Sequence, residues 1–292
     1  MSLVRTTLTL FSLSALAPVG VAAQQAPRAP ATLTDEFNDP ATLSRWQWHH
    51  RVEGWPDLTR KVAIEPRTEG GVLRLEPATS GWYEDWHAPF LFQEVTGDFD
   101  VTVRLKISGR ASDLPTRTWS LAGLMARQPR KVTPATWSAG GEDWVFITTG
   151  IGARPAFSVV ETKTTVDSRS HLELLPACGG WIELRTVRTG AAFVLLSRCP
   201  GAEWQVRARF DRPDLPATLQ VGIAAYTDWD SMQARFGQDG AAQFNVAGVP
   251  DGHPDLVVLA DYIRFRAPTP TSGKPLTDAT VSDAEVVRRI GG

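Results

Sequence analysis

The sequence predicts an all-β fold, an antiparallel two-sheet jelly-roll sandwich, from three observations. Apolar and polar residues alternate with period two through much of residues 32–266, turn-forming residues separate these runs, and no long helical pattern interrupts them. A strand that is apolar at every second position has one dry and one wet face. About a dozen such strands without intervening helices are satisfied when two sheets pack face to face.

The clearest run is Asp98 to Ile107. Phe99, Val101, Val103, Leu105 and Ile107 share one side, and Asp98, Asp100, Thr102, Arg104 and Lys106 share the other. Glu203 to Phe210 alternates in the same way, with Trp204, Val206, Ala208 and Phe210 on the dry side. Similar runs lie near 71–76, 118–127, 143–150, 156–165, 217–227 and 256–266. Trp181 to Val187 and Ala191 to Ser197 flank Arg188-Thr189-Gly190 and read as a hairpin. Cys178 and Cys199, the two cysteines, are symmetric about that turn and are expected to face each other as a disulfide. Residues 267–292 read as a linker and C-terminal tail. Within it Ser282-Asp283-Ala284-Glu285 forms a capping box ahead of Val286, Val287 and Ile290, so a short C-terminal helix is expected.

The N-terminal end carries its own signals. Residues 1–23 hold Arg5, an apolar run from Leu8 to Val21 and a small-residue ending, the three-part pattern of a secretory signal peptide. Residues 24–31 form a Pro/Ala spacer expected to be disordered. The chain is therefore expected to be secreted or periplasmic, where a disulfide persists. No later segment is apolar and long enough to span a membrane as a helix. The net charge of −2 and the dispersed basic residues exclude a nucleic-acid binder, which needs a basic patch.

Three stretches carry a resemblance to a known superfamily. TDEFNDPATLSRWQW, Thr34 to Trp48, resembles the opening strand of concanavalin A-like lectin/glucanase domains. APFLFQEVTGDFDVTVRL, Ala88 to Leu105, and RPDLPATLQVGIAAYTDW, Arg212 to Trp229, resemble an uncharacterised branch of that superfamily. The same branch occurs at the C-terminus of bacterial β-xylosidases. The likeness runs from about residue 33 to 266. It implies a β-sandwich and a carbohydrate context, and it carries over no catalytic residue. Related sandwiches often hold a structural calcium ion; Asp228, Asp230, Asp35 and Asn38 could supply oxygen ligands. No cofactor is otherwise implied.

Glycoside hydrolysis needs two carboxylates flanking one sugar bond. The Glu-x-Asp-x-x-Glu spacing that would aim them from one strand is absent. Glu161 and Glu183 lie on separate strands and could meet across a groove as acid and nucleophile or base, with Glu84 as a further partner. The plainer reading is same-face charge pairing, Glu161 with Lys163 and Glu183 with Arg185. No Gly-x-Ser-x-Gly elbow or His-x-x-x-His pattern is present.

Binding has more material. The chain holds 11 Trp, several in polar contexts: Trp55, Trp82, Trp86, Trp137 and Trp229. Indole plates cover the C–H faces of sugars, and polar side chains satisfy the hydroxyl rims. The stretch GWYEDWH, Gly81 to His87, offers both. If extended, it puts Trp82, Glu84 and Trp86 on one face and Tyr83, Asp85 and His87 on the other. The competing reading makes these rings cover for one end of the sandwich. The sequence thus favours a secreted carbohydrate-binding protein, lectin-like or accessory, with Trp82, Glu84, Trp86, His87 and Glu161 as groove residues. A glycoside hydrolase of the same fold and a structural or protein-interaction domain of the cell envelope are the alternatives.

Overall fold

A computed structural model describes residues 30–154 and 157–292. The expected signal peptide and all but the last two residues of the spacer lie outside the described residues. Those two, Pro30 and Ala31, belong to a 3-10 turn, Pro30–Leu33.

Two seven-stranded antiparallel sheets pack face to face. Sheet I contains β1 (Gln47–Trp48), β4 (Phe90–Thr96), β13 (Thr218–Tyr226), β6 (Ser120–Arg127), β7 (Trp144–Ile151), β8 (Val159–Val166) and β9 (Arg169–Pro176), in that spatial order. Sheet II runs β12 (Gln205–Asp211), β11 (Ala192–Arg198), β10 (Trp181–Thr189), β5 (Phe99–Ser108), β14 (Val257–Arg266), β3 (Gly71–Pro77), β2 (Thr59–Pro66). The alternating residues of β5 meet Val145 and Ile147 of β7, Val221 and Ile223 of β13, and Leu124 of β6 in one buried cluster between the sheets. Each such side chain contributes about 1.5–3 kcal/mol by leaving water.

The outer faces are covered as well. Four short helices do much of this: α1 (His49–Glu53), α2 (Trp229–Phe236), α3 (Ala241–Ala247) and α4 (Asp283–Arg289). The first three lie within the region where the sequence showed no long helical pattern; each has eight residues or fewer, too short for a periodic signature to stand out. The C-terminal helix forms where the capping box places it, and Ser282 Oγ accepts the N–H of Glu285. Its Val286 and Ile290, with Leu276 and Val281, pack on Val187, Val194, Leu196 and Trp204 of sheet II's outer side.

β10 and β11 form the expected hairpin. The ladder pairs Thr189 with Ala192, so the turn is Gly190-Ala191, two residues later than the symmetry of the cysteines suggests. Gly190 takes φ 60°, a left-handed conformation that glycine adopts without steric cost. Cys178 and Cys199 are bonded, with Cα atoms 6.1 Å apart. Both lie outside the strands, where the chain curls enough to join positions that the ladder does not oppose.

This bond closes a segment of sequence separation 21. Replacing both cysteines by serine lowers the unfolding free energy by about 3 kcal/mol. Urea unfolding of the double variant, against the oxidised parent, measures the difference.

Candidate functional site

Sheet I is apolar on both sides. All eight residues of β6 and all eight of β7 are buried. On the outer side Phe90, Phe92, Leu121, Met125, Trp144, Phe146 and Tyr226 form a second cluster. Trp82 caps it, and Trp86 packs beside it with Met232 of α2 and Phe244 of α3.

The GWYEDWH stretch is therefore not an extended strand. It turns at Glu84, where φ is 50°, and Tyr83 and Trp86 bridge across the turn. Trp82 is 0% exposed and Trp86 1%. This corrects the expectation that both indoles face solvent as plates. A turn breaks the period-two rule, and the sheet beneath needs apolar cover more than water needs contact with indole. Gly81 allows the approach: a Cβ there would lie 2.8 Å from the Trp229 ring.

A buried charge network pins this cover to the sheet. Arg127, at the end of β6, points outward and is wholly buried. Its Nη1 donates to Glu53 Oε1 at 2.6 Å, and its Nε and Nη2 donate to the two oxygens of Glu142 at 2.8 and 3.0 Å. Arg130 adds a bond to Glu142 at 2.6 Å, and His87 Nε2 lies 3.3 Å from it. Trp55 Nε1 and His49 Nε2 meet Glu53 Oε2 at 2.9 and 3.0 Å. Burial raises the affinity of both glutamates for protons, but Arg127 and the adjacent histidines outweigh it and hold both below the usual carboxylate range. Burial, followed by Arg127, lowers the pKa of His49 to about 4, so it is neutral near pH 7 and its Nε2–H donates to Glu53. His87 thus belongs to this network and not to a groove.

Beside the network a pocket of about 350 Å³ opens over the outer face of sheet I. Tyr83, Trp119, Trp229 and the edge of Trp82 wall it, Lys163, Leu172 and Tyr226 floor it, and Glu84, Gln233, Gln238 and Asp239 rim it. Lys163 Nζ lies 2.8 Å from Glu161 Oε1 and donates to the backbone oxygen of Trp82 at 2.8 Å. Glu161 Oε2 accepts from Thr148, opposite it on β7, at 3.0 Å and from the hydroxyl of Tyr226. Burial depresses the pKa of Lys163 against the pull of Glu161, and burial with Glu161 raises that of Tyr226. Burial, then Glu84, raises that of Tyr83. Glu84 and Trp119, with φ of 50° and 52°, are two bulky residues in left-handed backbone at one pocket, a conformation kept only where the surroundings enforce it.

Of the five residues the sequence assigned to a groove, Trp82 and Glu84 line the pocket and Glu161 lies beneath it, bound to two residues that do. Trp86 and His87 are elsewhere in the cover. Sequence reasoning missed Tyr83, Trp119, Lys163 and Tyr226. It flagged Trp229 by context without placing it in the groove.

The carboxylate pair proposed for hydrolysis does not assemble. Val160, next to Glu161, points into the core of the sandwich from sheet I, and Ile182 and Leu184, flanking Glu183, point into it from sheet II. Glu161 and Glu183 are therefore on opposite outer faces. Glu183 pairs with Arg198, not Arg185, which is held by Asp100. The suggested calcium ligands are also apart. Asp228 accepts from Thr79, Ser231 and the N–H of His253; Asp35 accepts from Trp46 and the N–H of Phe37; and Asn38 binds the N–H of Gly71. Asp230 stands exposed on α2. No group of three or more His, Cys, Asp or Glu that could hold a metal occurs among the described residues. No described helix is long and apolar enough to cross a membrane.

No protein-family profile and no curated protein matches the chain. Solved structures do resemble it. A functionally unknown protein from Saccharomyces cerevisiae superposes with TM-score 0.50 at 16% identity, over 77% of this chain and 98% of that one. The GH43 BlXynB protein from Bacillus licheniformis superposes with TM-score 0.50 at 14% identity, over 80% of this chain but only 39% of that one. A xylan β-1,4-xylosidase from Bacillus halodurans C-125 gives TM-score 0.49 at 15% identity, over 84% and 41%. The chain has the concanavalin A-like sandwich fold. Its likeness to a part of a longer GH43 protein fits the resemblance to the domain at the C-terminus of bacterial β-xylosidases.

Two outcomes test the network. Arg127→Met leaves two buried carboxylates short of their main partner and lowers the unfolding free energy by about 3–5 kcal/mol, read by urea unfolding at pH 7.

Acid gives the second. Between pH 6.5 and about 4 the unfolded chain protonates His49 while the folded chain does not, so stability falls with pH by up to about 3 kcal/mol. His50, its pKa also lowered by burial, adds in the same direction. Below about pH 4.5 the lowered values of Glu53 and Glu142 continue the loss. His49→Gln reduces the slope between pH 6.5 and 4.5; unfolding free energies measured at pH 7, 5.5 and 4.5 check it.

Proposed function

We propose that the chain is an exported carbohydrate-binding domain that takes a glycan into the pocket over sheet I. The observation that carries this reading is the half-buried ring set of Tyr83, Trp119 and Trp229 around a floor whose polar groups are fixed by Glu161. Sugars offer flat C–H faces to such rings and hydroxyls to Glu84, Gln233, Gln238 and Asp239 at the rim. The volume suits a small ligand or one or two residues of a chain, being within the range of about 300–1,000 Å³ typical of ligand sites. The enforced backbone at Glu84 and Trp119 favours a site shaped before the ligand arrives, which reduces the ordering cost of binding. The disulfide fits an oxidising compartment.

Trp119 is the side chain to remove, because it contacts the apolar cluster only at its margin. Trp119→Ala weakens retention on the best glycan of an array by about tenfold, or about 1.4 kcal/mol, with the thermal midpoint little changed. Unchanged retention on every glycan the parent binds would remove this pocket as the site.

A further inference from the structure

The charges of the pocket are unequal between floor and rim. At the floor Lys163 is neutralised by Glu161, and the rings of Phe146, Tyr226 and Tyr83 lie 4.6, 5.5 and 5.6 Å from its ammonium nitrogen. With a backbone oxygen also accepting from it, the lysine is spent inside the protein and offers little to an anion in the pocket. The rim is different. Glu84 and Asp239 both face the cavity, and neither has a cation within ion-pair distance among the described residues. Arg235, on the nearby helix α2, is turned to Asp251 at 2.7 Å. The hollow is thus lined by aromatic walls and two carboxylates without a cationic partner among the described residues, Glu84 accepting a hydrogen bond from the Tyr83 hydroxyl, with its one lysine already matched.

We infer that the ligand is a glycan bearing protonated amines, an oligomer of amino sugars whose amino groups are free. The inference rests on the reading of this pocket as a glycan site and names the class of glycan. An ammonium group on the sugar ring gains twice here. It lies against the faces of Trp119, Trp229 or Tyr83, which attract cations, and it meets Glu84 and Asp239 as counter-charges. An N-acetylated sugar keeps the stacking and loses both gains. A uronate meets two like charges at the rim and a lysine that Glu161 already holds.

Isothermal titration of the full chain compares three probes at low salt: a β-1,4-linked glucosamine hexamer, its fully N-acetylated counterpart and an oligogalacturonate. The free-amine hexamer binds about tenfold tighter than the acetylated one, a difference of about 1.4 kcal/mol. The oligogalacturonate is weakest. The gap narrows as salt is raised to about 0.5 M, because the rim charges are open to solvent. It closes in Glu84→Gln/Asp239→Asn, a nearly isosteric pair whose folding is checked by thermal unfolding, and in Asp239→Asn alone it shrinks.

Equal binding of the acetylated hexamer, or tighter binding of the oligogalacturonate, overturns the amine inference and leaves the glycan reading standing. A preference that persists in the double variant also overturns it, since the amine would then be recognised elsewhere. Absence of binding to these probes and to every member of a glycan array overturns both.

Discussion

A sheet that is apolar on both faces cannot be left half open, and this constraint organises the molecule. Strands β6 and β7 bury every residue, so sheet I needs cover on the side away from sheet II. The cover is built from a tight turn, short helices and loops, and such segments bring backbone polar groups that must find partners. Arg127 solves much of this from the sheet itself. It binds Glu53 of α1 and Glu142 of the loop before β7, fixing two separate pieces of cover with one guanidinium. The planar fork suits this bridging in a way that a lysine would not. Taking these charges out of water is costly, and the network is stable because each charge is matched and hydrogen-bonded.

The same requirement shapes the pocket. Trp82 and Trp86 are consumed in closing the outer cluster, which leaves the turn between them standing over β8 with Glu84 at its tip. Asp85 is anchored by Gly140 and Ser168, and its backbone oxygen by Asn245 of α3, whose side chain also accepts the N–H of His87. Lys163 reaches up from the sheet to the oxygen of Trp82. With the turn held from three sides, the rings next to it are set in place by the fold. The hollow is what remains between a pinned turn, helix α2 and the far strands of the sheet.

The parts legible in the sequence are those governed by period two. The alternation of β5 and of the β10–β11 hairpin places those strands, and the capping box places α4. In β12 the four residues expected on one dry side divide: a bulge at Arg207 sends Trp204 and Val206 to the outer side under the C-terminal tail and leaves Ala208 and Phe210 facing the core. Two further departures have equally physical causes. The hairpin turn is centred two residues later than expected, which shifts the pairing register by four, because the cysteines were taken as opposed residues, whereas they join beyond the ladder. The faces assigned within GWYEDWH are wrong because alternation presumes an extended chain, and a left-handed residue at Glu84 ends that premise. A signal was available. WVFITTGI and SLAGLMAR carry apolar or small residues at nearly every position, which is the mark of a strand buried on both sides. Such strands demand covering aromatics, and the Trp-rich turn supplies them. Trp119 and Lys163 had no comparable signal, since their roles depend on which side of the sheet the cover leaves open.

The two outer faces show why one is a candidate site and the other is not. On sheet II the C-terminal tail lays Leu276, Val281, Val286 and Ile290 over the apolar patch. The polar remainder beside it is largely self-satisfied: Arg185 binds Asp100 and the carbonyl of Ile290, Arg198 binds Glu183, and Arg264 binds Glu36. A ligand there would have to break ion pairs before making its own contacts. On sheet I the saturated charges are sunk into the floor and the network, while rings and unmatched carboxylates are left at the surface. Binding free energy comes from groups whose partners are water, because water can be displaced at lower cost than a fixed counter-charge. That difference makes the side carrying Trp119 and Glu84 the candidate site.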